Sequence, residues 1–512
     1  MHQLPFTTRK THPVMFLWVF LLVIFSANVQ LHAQETSEEI VRLHSVNMEE
    51  RIDIQQAVQI ALSNNTQMKQ ALLSVRDADQ QVLSAWGNVM PDVALSANYT
   101  RNLEVPVNFI PEVVFDPNGD PNVLVPIAFG TDNNWIGGIS VSQIIFSGQA
   151  FVGISSAELF KAAQSENLRA VAQGIVTQTR VTYHQALLAK EQIRLLEQQL
   201  KRVEKQLYDM RKRAEQGFVD DYIVLQLEVQ RDNIIPQLTR AEFAEEKARR
   251  NLLNVMGLPV QLKLNIKGEL QSFSVSGDEN TLPENAAIEY VSSLTPLNLT
   301  SDLADEPEVF DRRADLRILD TQRELQKRKL TADKSAYLPT LAANYNMNWT
   351  AAQPGSPDFF GTEDQRARSQ TLTVSFQLPL FQGMQRHTTV QRTKIAIKDL
   401  RLRQEQTQRD AQNQIISAQE SIREALQTSD ALKKALDQAQ IGYDRALIRY
   451  KNGVGSQQEV TDADLQLRQA EVNYAQMVAG YLSAKAQYDQ AIGQVPFVQL
   501  SVEDIKEKID LK

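Results

Sequence analysis

The chain has 512 residues, 43% of them hydrophobic, with 53 lysines and arginines against 62 aspartates and glutamates, a net charge of −9. It contains no cysteine, which excludes disulfides, thiolate metal sites and the lipid-anchored N-terminal cysteine of a bacterial lipoprotein. The acidic balance argues against nucleic acid as a partner.

Residues 1–33 read as an export signal. Arg9 and Lys10 precede an apolar core over 14–27, and Leu31-His32-Ala33 forms a cleavage sequence before Gln34. The rival reading, an N-terminal membrane anchor, is weakened by the shortness of that apolar core. Removal of the signal leaves 51 basic and 62 acidic residues, a net charge of −11. No later stretch approaches the roughly 20 apolar residues of a membrane helix. An exported chain of this kind is either free in its compartment or inserted as strands.

In the mature chain, Ile54, Val58, Ala61 and Leu62, then Met68, Leu72 and Val75, trace one face of a helix over 53–90, ended by Pro91. Alternation follows over about 92–107, with Val93, Leu95, Ala97 and Tyr99 on one face and Ala94, Ser96, Asn98 and Thr100 on the other. A second alternating run over about 134–147 sets Ile139, Val141 and Ile145 against Ser140, Ser142 and Ile144. The loop between these strands carries Pro106, Pro111, Pro117, Pro121 and Pro126. A helix over 149–216 then spans 68 residues, which is about 100 Å at 1.5 Å per residue. Its apolar or small residues Ala189, Ile193, Leu196, Leu200, Val203, Leu207, Met210 and Ala214 form a heptad seam. The chain turns at Gly217-Phe218-Val219-Asp220-Asp221. It returns as a helix over 219–256 that Pro236 should interrupt and kink, before Gly257-Leu258-Pro259 stops it.

The same object recurs 236 residues later, with Gly217 matched by Gly453 and Gly257 by Gly493. The seam returns in register as Ala425, Ser429, Leu432, Leu436, Ala439, Tyr443, Ala446 and Tyr450. Duplication on this scale is a repeat architecture. The second copy also opens with a helix, over about 309–336, and two strands, over about 340–352 and 370–382. Leu341, Ala343, Tyr345, Met347 and Trp349 share one face of the first of these strands, and Leu372, Val374 and Phe376 one face of the second. The divisions are thus a first repeat at 34–257, a linker at 258–307 with a short strand over 261–266, a second repeat at 308–493, its tip at about 453–457, and a tail at 494–512. Each repeat is helix, strand, strand, long helix, shorter helix. Four strands cannot close a barrel, which needs at least about eight, so strands entering a membrane would require oligomerisation. The alternative is two hairpins packed apolar face to apolar face as a soluble sandwich. Trp135 and Trp349, at matching strand ends, instead suit an interfacial aromatic belt.

The duplicated plan resembles the TolC-like outer membrane efflux protein family. The resemblance covers nearly all of the mature chain. Its marks are Ala61-Leu62-Ser63-Asn64-Asn65, Tyr337-Leu338-Pro339 entering a strand, Leu380-Phe381-Gln382-Gly383 leaving one, and Arg449-Tyr450-Lys451-Asn452-Gly453 before a helical tip. It implies an α+β membrane protein: a homotrimer whose twelve strands form one β-barrel in the outer membrane of a Gram-negative bacterium, continued by a periplasmic α-helical coiled-coil tube. It also implies contact with outer-membrane lipid, and a passive exit duct serving an inner-membrane transporter of RND or ABC type through a periplasmic adaptor protein. No cofactor and no catalytic residue are expected.

The resemblance further implies a periplasmic gate near the second tip, where Glu459 and Asp462 lie one helical turn apart on one face. In a trimer they would form a ring of carboxylates that repels itself and attracts cations. The first repeat carries Ile223 and Gln226 at the equivalent positions, an asymmetry that favours a role. The plainer reading is that two acids in the first turn of a helix complement its dipole. The tips, Gly217, Phe218, Val219, Asp220 and Asp221 with Gly453, Val454, Gly455 and Ser456, are the expected adaptor contacts.

Other patterns carry little. Asp116, Asn118 and Asp120 are spaced as in a calcium loop, but Pro121 stands where glycine is needed and Ile127 where the closing glutamate belongs. Among the mature histidines, His44, His184 and His387, no metal-ligand spacing occurs. With no nucleophile, base or metal cluster, an enzyme is the least supported class. The favoured function is export of small toxic compounds. Its alternatives are the exit duct of an ABC-driven protein or peptide secretion system and a soluble periplasmic coiled-coil scaffold.

Overall fold

The computed structural model describes residues 51–270, 275, 307–357 and 365–495. The export signal at 1–33, His44, much of the linker and all but the start of the 494–512 tail lie outside these residues.

The first helix, α1 (Ile54–Asn64), opens with a capping box: the Asp53 carboxylate accepts from the Gln56 N–H at 2.8 Å, and the Gln56 side chain accepts from the Asp53 N–H at 3.0 Å. The single helix expected over 53–90 is broken at Asn65, whose ψ of 131° is not helical. Asn65 accepts from the Gln67 N–H at 2.8 Å, capping α2 (Thr66–Gly87), while its amide donates to the Val255 carbonyl at 2.7 Å. A local turn former at this point gives α2 a new start and ties it to the last carbonyl of a helix 190 residues away.

The long helix α3 (Gly148–Glu215) and the returning α4 (Asp221–Val255) make the first hairpin. Pro236 does not interrupt α4, which runs continuously through it. In the second repeat α5 (Pro307–Arg312) and α6 (Ala314–Ser335) are again separated by one non-helical residue, Arg313. The Arg313 guanidinium donates to the Ala491 carbonyl at 2.8 Å. Val255 and Ala491 are equivalent across the 236-residue shift, so an amide and a guanidinium perform the same docking in the two repeats. The second hairpin is α7 (Gln385–Lys451) and α8 (Gln457–Ala491).

Between the helices run β1 (Asp92–Arg101), β2 (Val107–Pro111), β3 (Leu124–Ala128), β4 (Asn133–Phe146), β5 (Thr340–Gln353) and β6 (Arg366–Gln377). The proline-rich loop therefore contains a small hairpin, β2 with β3, that alternation alone did not reveal. The other strands form one antiparallel sheet in the order β1-β4-β5-β6, and among the described residues no strand pairs with either outer edge. Pairing joins Val93, Val141, Tyr345 and Leu372 in one row, and Leu95, Ile139 and Met347 in the next, on a single apolar face. Ser142, Asn344 and Thr373 share a row on the opposite face, as do Ser140, Asn346 and Thr371. A bulge between Ile144 and Phe146 brings Phe146 opposite Leu341, and so onto the apolar face, where strict alternation would have put it on the polar one. Leu95 is 80% exposed and Leu372 is 70% exposed. A sandwich would have buried them, so that alternative fails. Pairing of β6 ends at Gln377, ahead of Pro379, which has no N–H to continue it.

The main core lies where the two repeats meet, at Val58 and Met68 of the first helices, Val176 of α3, Leu252 of α4 and Val478 of α8. No strand forms over 261–266. Ile52 and Ile266 make an isolated parallel bridge, with Ile52 N–H on Asn265 and Lys267 N–H on Ile52, both at 2.9 Å. No helix among the described residues is long and apolar enough to cross a membrane.

Gly257 sits at φ +69° with its α-carbon against the Asn64 carbonyl, which an added Cβ would meet at 2.5 Å. At the tip, Gly453 has a similar φ of +75° but open space around it. Gly453→Ala should therefore cost about 1–2 kcal/mol, the left-handed penalty alone. Gly257→Ala should cost more, as read from apparent melting temperatures in detergent.

Candidate functional site

Both tips are closed by the same hydrogen-bonding motif. Gly217 N–H bonds to Ala214 and Phe218 N–H to Arg213, and Gly453 N–H bonds to Tyr450 and Val454 N–H to Arg449. These are the paired bonds of a Schellman cap, which need the left-handed glycine at its centre. In the first tip Asp220 accepts from the Tyr222 N–H at 2.8 Å and caps α4; in the second Ser456 accepts from the Glu459 N–H at 3.2 Å and caps α8. The motif leaves one apolar side chain protruding from each tip, Phe218 at 77% and Val454 at 68% exposed. Val219 instead turns inward onto the apolar cluster of the first hairpin.

Glu459 and Asp462 lie on the solvent side of α8, beside the buried positions Val460 and Asp464. Glu459 is 3.7 Å from the Arg449 guanidinium, both half exposed, and Asp462 accepts from the Gln458 amide at 2.8 Å. They do not bond to each other. Their counterparts differ: Ile223 packs into the first hairpin and Gln226 is exposed. Asp116 and Asp120 accept from the backbone N–H groups of Asn118 and Asn122, so these carboxylates close local turns.

Near the tips each hairpin has its own apolar zipper, Leu196, Val203, Leu207 and Leu227 in the first and Tyr443, Val460 and Leu467 in the second. The joint between the hairpins is mostly polar, apart from Tyr450, which packs on the apolar cluster of the first hairpin and donates to the Met210 sulfur at 2.6 Å. Arg202 donates to Asp464 at 2.6 Å, Gln199 donates to the same carboxylate at 3.3 Å, and Gln206 bonds to both the Tyr443 hydroxyl and Gln457. Asp464 is nearly fully buried. Burial also pushes the Glu471 carboxyl up, against the pull of Arg202 and Arg194. The sequence reading missed this joint. Its signal was a polar stripe, Gln199, Arg202 and Gln206 at helical spacing, flanking the apolar seam.

The outer membrane efflux protein family model matches residues 57–258 and 307–494, well over half of the chain. The chain belongs to the outer membrane efflux protein family. No curated protein sequence matches it. Among solved structures, it is similar to the Campylobacter jejuni CmeC outer membrane channel, at 15% identity over 90% of each chain with a TM-score of 0.71. The Neisseria gonorrhoeae MtrE outer membrane channel gives 18% identity over 86% of this chain and 89% of its own, with a TM-score of 0.65. The Vibrio cholerae outer membrane protein VceC gives 14% identity over 86% and 96%, with a TM-score of 0.64. The chain thus has the fold of these outer membrane channels, strands at one end and long helices at the other. Family and neighbours are channels of the Gram-negative outer membrane with a large periplasmic part.

In this efflux protein the two repeats are also clamped by buried charge, away from the tips. Arg180 of α3 donates to Asp489 of α8 at 2.8 Å, Lys485 lies 3.0 Å from the same carboxylate, and all three are nearly or wholly buried. Burial pushes the Lys485 amine down while Asp489 pulls it up. One turn along α3, His184 is fully buried, with no hydrogen-bond partner for either ring nitrogen among the described residues. Burial, then the nearby Arg180 guanidinium, lowers its pKa from 6.5 to about 3. Asp489→Ala would leave two cations buried together and should cost about 3–5 kcal/mol, seen as a lowered melting temperature. Between pH 6.5 and 3 an unfolded His184 takes up a proton that the folded one refuses, so stability falls with pH in that window. His184→Leu should flatten the decline of melting temperature from pH 7 to 4; an unchanged slope would remove His184 from the account.

Proposed function

We propose that this outer membrane efflux protein is the passive exit duct of a tripartite system, in which three copies close one barrel. The observation that carries this reading is the sheet: one apolar face, one face of Ser, Thr and Asn, and two open edges. Strand direction alternates across β1-β4-β5-β6, so β6 of one copy can pair antiparallel with β1 of the next. Twelve strands then leave no edge unpaired in hydrocarbon. The lumen would be lined by neutral hydroxyls and amides such as Ser140, Asn346 and Thr371. Such a surface is wetted, and its one carboxylate per copy is Asp92, in the row of Ser142 at the helical end of the sheet.

Beneath the barrel, α3 and α7 are 68 and 67 residues long. Each reaches about 100 Å, a length suited to crossing the periplasm. The exposed Phe218 and Val454 offer apolar knobs at the inner end, where a periplasmic adaptor and, through it, an RND or ABC inner-membrane transporter would dock. Small toxic compounds are the cargo this reading favours, and the energy for transport comes from the transporter.

Glu459 and Asp462 are proposed as the inner gate. Three copies bring their carboxylates around one axis, where mutual repulsion and attraction for cations would make the constriction narrow and cation-preferring. Opening requires the second hairpin to part from the first, and the polar joint at Arg202 and Asp464 is the contact that would exchange for water at least cost. In planar bilayers the detergent-extracted protein should give small, cation-preferring conductance steps. Glu459→Ala with Asp462→Ala should give larger and less selective ones. Unchanged steps in the double variant would dismiss these residues as the gate, while a protein that never inserts would dismiss the channel.

A further inference from the structure

We propose that the joint between the hairpins is a proton-controlled latch: with the Glu471 carboxyl neutral the tip-ward halves of α3 and α8 stay together, and its ionisation helps them part. The proposal rests on the opening movement inferred above and adds what regulates it. Arg180 of α3 pairs with Asp489 of α8 and Arg202 with Asp464, so the two helices run antiparallel. Glu471 is two helical turns along α8 from Asp464 and stands on the same face, turned to α3. The polar joint thus ends at Glu471, just before the apolar core takes over at Tyr474 and Val478.

Both cations that act on Glu471 from α3 are bonded to another carboxylate. Arg194 makes two bonds to Glu191, at 2.9 and 2.6 Å, and Arg202 makes one to Asp464 at 2.6 Å. Glu191, Asp464 and Glu471 thus share two guanidiniums, and Glu269 of the linker also faces Arg194. Oε2 of Glu471 is buried with no hydrogen-bond partner among the described residues. The same is true of Nη2 of Arg202 and Oε1 of Gln199, so none of these three atoms bonds to another. The remaining charges nearby are engaged elsewhere. Arg468, one turn before Glu471 on α8, donates to Gln237 of α4 at 2.7 Å. On α7, Lys433 lies 3.9 Å from Asp437 and 5.5 Å from the centre of the Tyr474 ring.

A carboxylate oxygen buried without a donor favours the neutral form of its group. Burial accordingly raises the Glu471 pKa above the ordinary 4.5, with Arg202 and Arg194 opposing the rise and Asp464 and Glu191 reinforcing it. When the hairpins part, Glu471 meets water and the ordinary value returns. The closed joint therefore holds a proton that the open one releases. Closure strengthens as pH falls from the raised value towards 4.5, and below that it gains nothing more from Glu471. As pH rises through the raised value this contribution is lost, and the joint yields more readily. Three copies opening together would multiply the response.

Hydrogen–deuterium exchange of the full-length, detergent-purified protein tests the latch. It would be read by mass spectrometry at about pH 7.5 and about pH 5.5 and corrected for the intrinsic pH dependence of exchange. In the wild type, amides over 199–210 and 457–471 should gain several-fold protection at the lower pH, while those over 175–187 in the main core stay unchanged. Glu471→Gln, neutral at both pH values, should show the protected pattern throughout. Glu459→Ala with Asp462→Ala should keep the wild-type response, which separates the tip carboxylates from Glu471. A wild type without the response, a Glu471→Gln variant that retains it, or a double variant that loses it overturns the latch. Should Glu471→Gln fail to fold, the wild type and the double variant still decide. Bilayer conductance of Glu471→Gln tests the reading beneath: unchanged steps from a protein whose joint is latched in exchange would keep the latch and remove the joint from opening.

Discussion

Backbone N–H and C=O groups cannot be left unpaired in hydrocarbon, and this chain builds a four-stranded sheet with two unpaired edges. Much else in the molecule answers to that constraint. The sheet is one-sided because only a surface apolar outside and polar inside can stand between lipid and water. The bulge at Ile144 and Phe146 exists at the point where strand gives way to helix, and it keeps the last aromatic with the apolar rows. Below it the long helices satisfy their own hydrogen bonds and need no closure, so the chain changes from strand to helix as it leaves the membrane.

Apolar and polar contacts are divided by height along the rod. Where the repeats meet, a broad apolar core and the buried Arg180, Asp489 and Lys485 cluster bind α3 to α8. Removing Asp489 there strands two cations in a buried interior, so this level is the fixed point. Towards the tips most of the apolar zippers lie inside each hairpin, and apart from Tyr450 on Met210 the contact between hairpins passes to Arg202, Asp464, Gln206 and Tyr443. Polar contacts can be replaced by water and apolar ones cannot. A conduit that must stay assembled at one end and yield at the other would distribute its contacts in this way.

Duplication conserves geometry more faithfully than chemistry. Gly217 and Gly453 close the tips with identical backbone bonds, and Val255 and Ala491 both offer a carbonyl to the break in the preceding helix. The donors differ, an asparagine amide in one and an arginine in the other. At the tips Ile223 packs inward where Glu459 faces out. The fold tolerates either residue, so the difference is free to serve a purpose in one repeat alone.

Most of the architecture was legible in the residues themselves. The 236-residue spacing of glycines, the heptad seams and the two-residue alternation determine two helical hairpins and four strands, with one strand face apolar, because those periods are properties of the local backbone. They also carry the family resemblance. The breaks at Asn65 and Arg313, the continuity of α4 through Pro236 and the hairpin hidden among the prolines were decided only in three dimensions, where a distant carbonyl or a neighbouring strand outweighs local preference. The same holds for the pairing of Arg180 with Asp489, separated by 309 residues. Periodicity says which face of a helix is buried, but only packing says what lies against it.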